Sequence, residues 1–196
     1  MIPNISSIPL KELIGCHAYT NSSQTTTILK KFSPERQSEL LYYGIQVALK
    51  NNAIDTAKTI TKNLQQPIYQ ALANDLMTSY DTNMASYSLD YAEKLLPTIT
   101  QSADKAIIAS RLSRHHSRLG NTQKATELST LTEQQLVSLP ASNAKDDILA
   151  LIAKNYAQVL QFNTANNLIN TIQSEPIKSS IQNDINPLLK IKALLN

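Results

Sequence analysis

From Ser33 to the C-terminus the apolar residues recur at a spacing near 3.6, and nowhere at the strict alternation of a half-buried strand. That feature confines the chain to helices. Composition agrees: only three glycines occur in 196 residues, which suits a chain whose backbone is mostly helical, since glycine costs roughly 1 kcal/mol in a helix relative to alanine. The helices have legible starts and stops. Ser33-Pro34-Glu35 reads as a helix start, with Ser as N-cap, Pro at the first helical position and a carboxylate in the first turn. Polar or proline-containing joints fall at Asn51-Asn52, Gln66-Pro67, Asp81-Thr82-Asn83, Gln101-Ser102, Gly120-Asn121, Pro140-Ala141-Ser142-Asn143 and Glu175-Pro176. Each follows a segment of helix length, as expected for paired antiparallel helices.

The helices repeat. Ala57, Ala92, Ala125 and Ala165 stand in similar segments, 35, 33 and 40 residues apart. Each is followed by apolar residues three to four and seven positions on: Ile60 and Leu64; Leu95 or Leu96 and Ile99; Leu128 with Leu131 or Thr132; Leu168 or Ile169 and Ile172. These share one helical face with the alanine, and a small residue there lets a second helix approach to the roughly 8–10 Å of close interhelical packing.

In the unit at 145–176, Leu149, Ile152, Ala153 and Tyr156 follow a first-helix pattern of large, large, small and aromatic. Ala165, Ile169 and Ile172 mark its second helix, and Pro176 its end. The unit at 104–137 matches through Ala109, Leu112, Gly120, Asn121 and Ala125, with His116 at the aromatic place. These residues resemble the tetratricopeptide repeat over about three-quarters of the chain. The units at 35–66 and 68–101 match less closely, their inter-helix turns needing about one and three extra residues. The expected fold is all-α: an α-solenoid of about four antiparallel helical hairpins, tetratricopeptide-like, over residues 33–196. A closing C-terminal helix from Ile177, broken near Pro187, would cover the last hairpin.

Residues 1–32 read as a short N-terminal docking helix over 8–19 followed by a polar, flexible stretch. Leu13-Ile14-Gly15-Cys16 and the polar run from Thr20 to Thr27 resemble a bacterial lipoprotein processing site. Pro9, Lys11 and Glu12 interrupt the apolar region that such a site requires upstream. On the chain as given the expectation is a cytoplasmic protein without a transmembrane segment. A signal sequence encoded before Met1 would turn it into a periplasmic or lipid-anchored envelope module.

No arrangement advertises catalysis, a cofactor or a metal. His115 and His116 are adjacent and point about 100° apart on a helix, so they do not chelate one ion as an i,i+4 pair does; His116 is expected in the core and His115 exposed. Asp104 and Asp146-Asp147 lie in first turns, where carboxylates complement the helix dipole. Three scattered glycines build no phosphate loop, and the lone Cys16 excludes an intramolecular disulfide.

What remains is a surface. Arg111, Arg114 and Arg118 form a stripe at i, i+3 and i+7. In the register of the resemblance, Arg114 and Arg118 project from a first helix into the concave groove, with Lys154 and Gln158 at the matching places of the next hairpin and Asn74, Thr78 and Asp81 in the preceding one. In tetratricopeptide proteins that surface holds extended peptides, and arginine grips carboxylates bidentately. The expected partner is therefore a protein or peptide with acidic groups. Three arginines without interleaved aromatics, at a net charge of only +3, argue against nucleic acid.

Overall fold

The computed structural model describes residues 10–20, 22–80 and 85–195. Among these residues it is all-helical, with eleven α-helices and no strand. The chain divides into two compact units, Met1–Thr98 and Ile99–Asn196.

The first unit holds α1 (Leu10–Thr20), α2 (Ser22–Leu29), α3 (Pro34–Lys50), α4 (Ile54–Thr61), α5 (Pro67–Met77) and α6 (Ala85–Leu95), closed by a 3-10 turn at Leu96–Thr98. Helix α3 starts as its sequence predicts: the Ser33 side chain accepts the Arg36 N–H, with Pro34 in the first turn and Glu35 beside the helix N-terminus. Helix α1 lies along α3, α3 pairs with α4, and α5 pairs with α6 and touches α3. Leu29, Leu40, Ile45, Leu49 and Ile60 make the buried centre. Gly44 is what lets α1 in: a Cβ on it would stand 2.7 Å from the Cβ of Ala18. The polar stretch at 20–27 is largely helical among its described residues. Thr25 of α2 is fully buried, and its Oγ1 lies 2.7 Å from His17 Nδ1 on α1, so this short, mostly polar helix is held by a side-chain hydrogen bond together with the buried Leu29 at its end.

The second unit holds α7 (Ser102–Arg118), α8 (Thr122–Val137), α9 (Asn143–Ala157), α10 (Phe162–Thr171) and α11 (Glu175–Leu195). Helices α7 and α8 form one antiparallel pair and α9 and α10 another; α9 also packs against α7 and α11. Leu149, Ile152, Tyr156, Phe162, Ile169, Ile172, Ile181 and Ile185 form its core. Helix α11 runs through Pro187 without a break, contrary to the expected interruption. Proline removes one N–H and crowds the carbonyl four residues back, but Leu188 and Leu189 just beyond it pack on the core and hold the helix in place.

Three turns between paired helices are the same turn. Asn52, Gly120 and Leu160 all have positive φ, at 57°, 75° and 62°. In each, the N–H of the next residue returns to a carbonyl five residues back: Ala53 to Ala48, Asn121 to His116 and Gln161 to Tyr156, at 2.9, 2.9 and 3.0 Å. The N–H of the positive-φ residue itself reaches the carbonyl three back, in Leu49, Ser117 and Ala157. This is the Schellman arrangement, which satisfies helix-end carbonyls by a left-handed residue. The buried alanines Ala57, Ala125 and Ala165 follow each left-handed residue at the same distance. The turn of the hairpin at 35–66 therefore has no extra residue, contrary to expectation. Its departure from the pattern lies in α3, where Gly44 accepts α1. The turn of Gly120 is legible from Gly-Asn; that of Leu160 is not, because nothing in Val159-Leu160-Gln161 signals a helix end.

A second repeated device ties two of the hairpins, α3/α4 and α9/α10, to the helix that follows. Ser38 Oγ on α3 accepts the N–H groups of Gln65 and Gln66, both at 3.3 Å, just before α5. Asp146 on α9 does the same for Gln173 (3.3 Å to Oδ1) and Ser174 (2.8 Å to Oδ2), just before α11. The separations along the chain are identical, 27 and 28 residues in both cases.

Candidate functional site

The side chains singled out on α7 and α9 are brought together, but chiefly with one another. Arg114 Nη1 donates to Gln158 Oε1 at 2.9 Å and to Asn155 Oδ1 at 3.1 Å, and Asn155 Nδ2 donates to Ser110 Oγ at 3.0 Å. Ser110 and Asn155 are buried and Arg114 is half-buried. The arginine thus clamps two hairpins, and this polar chain runs between α7 and α9 where an apolar contact would otherwise lie. Asn155 is not anticipated by the sequence; its only signal is a polar residue inside the apolar first-helix run. Arg118 is exposed at the end of α7. Lys154 forms an ion pair with Asp184 of α11 at 2.6 Å, both nearly half exposed, a class of interaction that contributes about 0–1 kcal/mol.

Asn74 and Thr78 belong to the first unit. Asn74 is buried and donates from Nδ2 to the Gln70 carbonyl at 2.8 Å; Thr78 caps the end of α5 and donates from Oγ1 to the Asp75 carbonyl at 2.6 Å. Asp81 lies outside the described residues.

His116 is buried, as expected, and so is His115, which was expected at the surface. Helix α7 packs against both α8 and α9, and the Nε2 of His115 lies 3.5 Å from Nη2 of Arg114. Among the described residues no group of three or more His, Cys, Asp and Glu is placed to hold a metal. Asp146 is spent on the backbone strap described above. Tyr156 is buried beside α8; desolvation raises its pKa above the ordinary 10.0, the Ser129 hydroxyl offsets part of this, Glu133 adds to it and the Thr132 hydroxyl offsets a little more.

Each unit carries a cleft. In the second, Leu136, Val137, Leu149 and Leu168 line about 300 Å³ between α8, α9 and α10; of its polar lining, Lys145 Nζ donates to the Leu139 carbonyl at 3.0 Å and Asp146 accepts the strap N–H groups. A cleft of about 470 Å³ in the first unit lies between α4, α5 and α6. Lys58, Thr61 and Lys62 come from α4 and its end, Gln70, Asn74 and Met77 from α5, and Tyr87, Ser88 and Tyr91 from α6. Tyr87 is 61% and Tyr91 38% exposed, one helical turn apart, with ring centroids 6.4 Å apart and planes 25° from parallel. Only Asn74 of this set is among the groove residues expected from the sequence. The Tyr87/Tyr91 spacing of four residues was available as a signal, but it equally fits a core stripe.

Comparison with protein-family models, with curated proteins and with solved structures gave no match to any of them. What the chain does must be read from its own residues. Among the described residues no helix is long and apolar enough to cross a membrane.

Proposed function

We propose that the chain is a non-catalytic interaction scaffold, a tetratricopeptide-like stack of helical hairpins that binds a peptide or protein partner. The observation that supports this most is the recurrence of one hairpin geometry: a left-handed residue and, five positions later, a buried alanine, at Asn52, Gly120 and Leu160. Hairpins of this kind bury their faces against neighbours and so present a continuous row of first helices, the surface on which such proteins hold partners. The contacts of α9 with α7 and α11 are consistent with that stacking.

The arginine stripe takes a revised role in this reading. Arg114 serves the stack through Asn155 and Gln158, and Arg118 is the member exposed to a partner. The envelope-anchored alternative is the weaker one. Processing before Cys16 would remove Ile14, which is buried, and Gly15, which packs on Tyr43 of α3.

The test is a selection of displayed random peptides on the immobilised full chain, counter-selected on an unrelated helical protein. A scaffold should yield a convergent peptide family whose binding to the chain in solution is saturable. Failure to enrich any family over the control protein would overturn this function.

A further inference from the structure

We infer that the cleft between α9 and α11 is the docking site of a basic peptide segment, which sets an Arg or Lys side chain against the Asp147 carboxylate and lays an apolar side chain on Leu151, Ile177 and Ile181. This rests on the interaction-scaffold reading and gives the partner a chemistry and a place. The sign of the partner's charge is opposite to the one suggested by the arginine stripe of α7.

Two contacts fix the frame. In the first turn of α9, Asp146 accepts the N–H groups of Gln173 and Ser174 just before α11. About two turns further along α9, Lys154 pairs with Asp184 of α11 at 2.6 Å. The two helices therefore run parallel and are tied at both ends, and between the ties they leave a cleft of about 410 Å³. Asp147, Leu151 and Lys154 line it from α9 at positions i, i+4 and i+7, and Ile177, Ile181 and Asp184 line it from α11 at the same spacing. Each helix thus offers one face to it. Seven residues of helix rise roughly 10 Å, a length that about three residues of extended peptide span. The volume falls within the roughly 300–1,000 Å³ of small-ligand sites, so the cleft takes side chains rather than a folded domain.

Charge sets the class of occupant. The lining holds two carboxylates and one ammonium. Lys154 and Asp184 are spent on each other. Asp147 is exposed and has no hydrogen bond or ion pair among the described residues, so the charge left over in the cleft is a carboxylate. The chain is described without a gap from the start of α9 to Lys190, and every lining residue lies within that stretch. An arginine fork or a lysine ammonium answers this carboxylate, whereas an acidic peptide or a nucleic-acid phosphate would meet it with like charge. The apolar part of the lining sets the second requirement. Leu151 and Ile177 are half-buried and Ile181 is buried in the core, a surface that an apolar side chain covers with gain. The exposed Ser180 hydroxyl beside them can donate to or accept from a peptide backbone.

The probe is a fluorescein-labelled peptide library of the form basic–any–apolar–any–basic, with Arg or Lys at the basic places and Leu or Phe at the apolar one. Binding to the full chain is read by anisotropy. Two controls accompany it, the same library with Gln and the same library with Glu at the basic places. We expect the basic library to bind and the Gln twin to bind about tenfold more weakly. Asp147→Asn should weaken the basic library by about tenfold and leave the Gln twin unchanged. Asp147→Lys should reverse the preference, so that the Glu twin binds more tightly than the basic library. Because Asp147 is exposed, both variants are expected to keep the helical content of the parent, which circular dichroism checks. Leu151→Ala should weaken the basic library and the Gln twin alike. Equal binding of the basic and Gln libraries, or tighter binding of the Glu twin to the parent chain, would overturn the proposal. If peptides bind the chain but ignore both Asp147 substitutions, the cleft assignment fails while the scaffold reading stands. If no peptide binds in this assay or in the selection above, both fail.

Discussion

Leu160 stands at φ 62°, a left-handed conformation that costs a residue with a Cβ roughly 1–2 kcal/mol. Gly120 occupies the same place in the preceding hairpin without that cost. Leu160 is 44% exposed, so little packing is lost on removing its side chain. Leu160→Gly should therefore raise the unfolding free energy by about 1 kcal/mol, seen as a higher urea midpoint at unchanged slope; a lower midpoint would show that the leucine packs better than its exposure implies. Arg114 and Arg118 separate in the same way. Arg114→Glu breaks bonds to Asn155 and Gln158 and should cost about 1–3 kcal/mol, whereas the exposed Arg118→Glu should stay within about 0.5 kcal/mol of the parent. Tyr156 gives a pH signature. Because burial raises its folded pKa, the folded state keeps the proton that the unfolded state releases above pH 10.0. Stability linked to Tyr156 is thus fully present below that pH and is lost as pH rises through the folded value. Denaturation from about pH 8 to about pH 11 should show a smaller alkaline loss in Tyr156→Phe than in the parent. Few of these residue roles were legible in the sequence. Arg114 was visible as part of a stripe, but its partners lie more than forty residues away, and a side chain's choice between solvent and a distant amide is decided by packing.

At the scale of elements, close helix contacts are set by the smallest residues. Ala165 is fully buried in α10, and Ala125 in α8 is nearly so, its carbonyl accepting the Ser113 hydroxyl of α7 at 2.9 Å. Ala125→Leu or Ala165→Leu should overpack the hairpin and cost about 1–3 kcal/mol or more; parent-like melting of both would move the contact elsewhere. Gly44→Ala sets two effects against each other. Alanine favours a helix by about 1 kcal/mol, yet its Cβ would meet Ala18 at 2.7 Å. Both atoms are fixed to backbones, so the clash should win and the variant should melt below the parent. The second helices were legible because period 3.6 and a buried alanine mark them directly. Helix α2 was not, because the polar run from Gln24 to Thr27 carries no apolar stripe, and the burial of Thr25 depends on His17. The continuity of α11 through Pro187 was hidden for the opposite reason: the proline is plain in the sequence, while the apolar contacts that outweigh it are tertiary.

At the scale of the whole molecule, two compact units each contain paired helices, with a net charge of +3 and a composition rich in neutral polar groups. Long-range steering by so small a charge is weak, so the proposed binding of a partner would rest on local chemistry. The overall helical class was legible from periodicity alone. The clefts were not, because each lining is drawn from more than one helix and its residues are ordinary one by one. The measurement that bears most directly on the central claim is a calorimetric titration of the intact chain with the peptide family recovered by selection. Saturable heat with one peptide bound per chain is the expected result. Flat titrations for every selected peptide, with the chain folded, would contradict it.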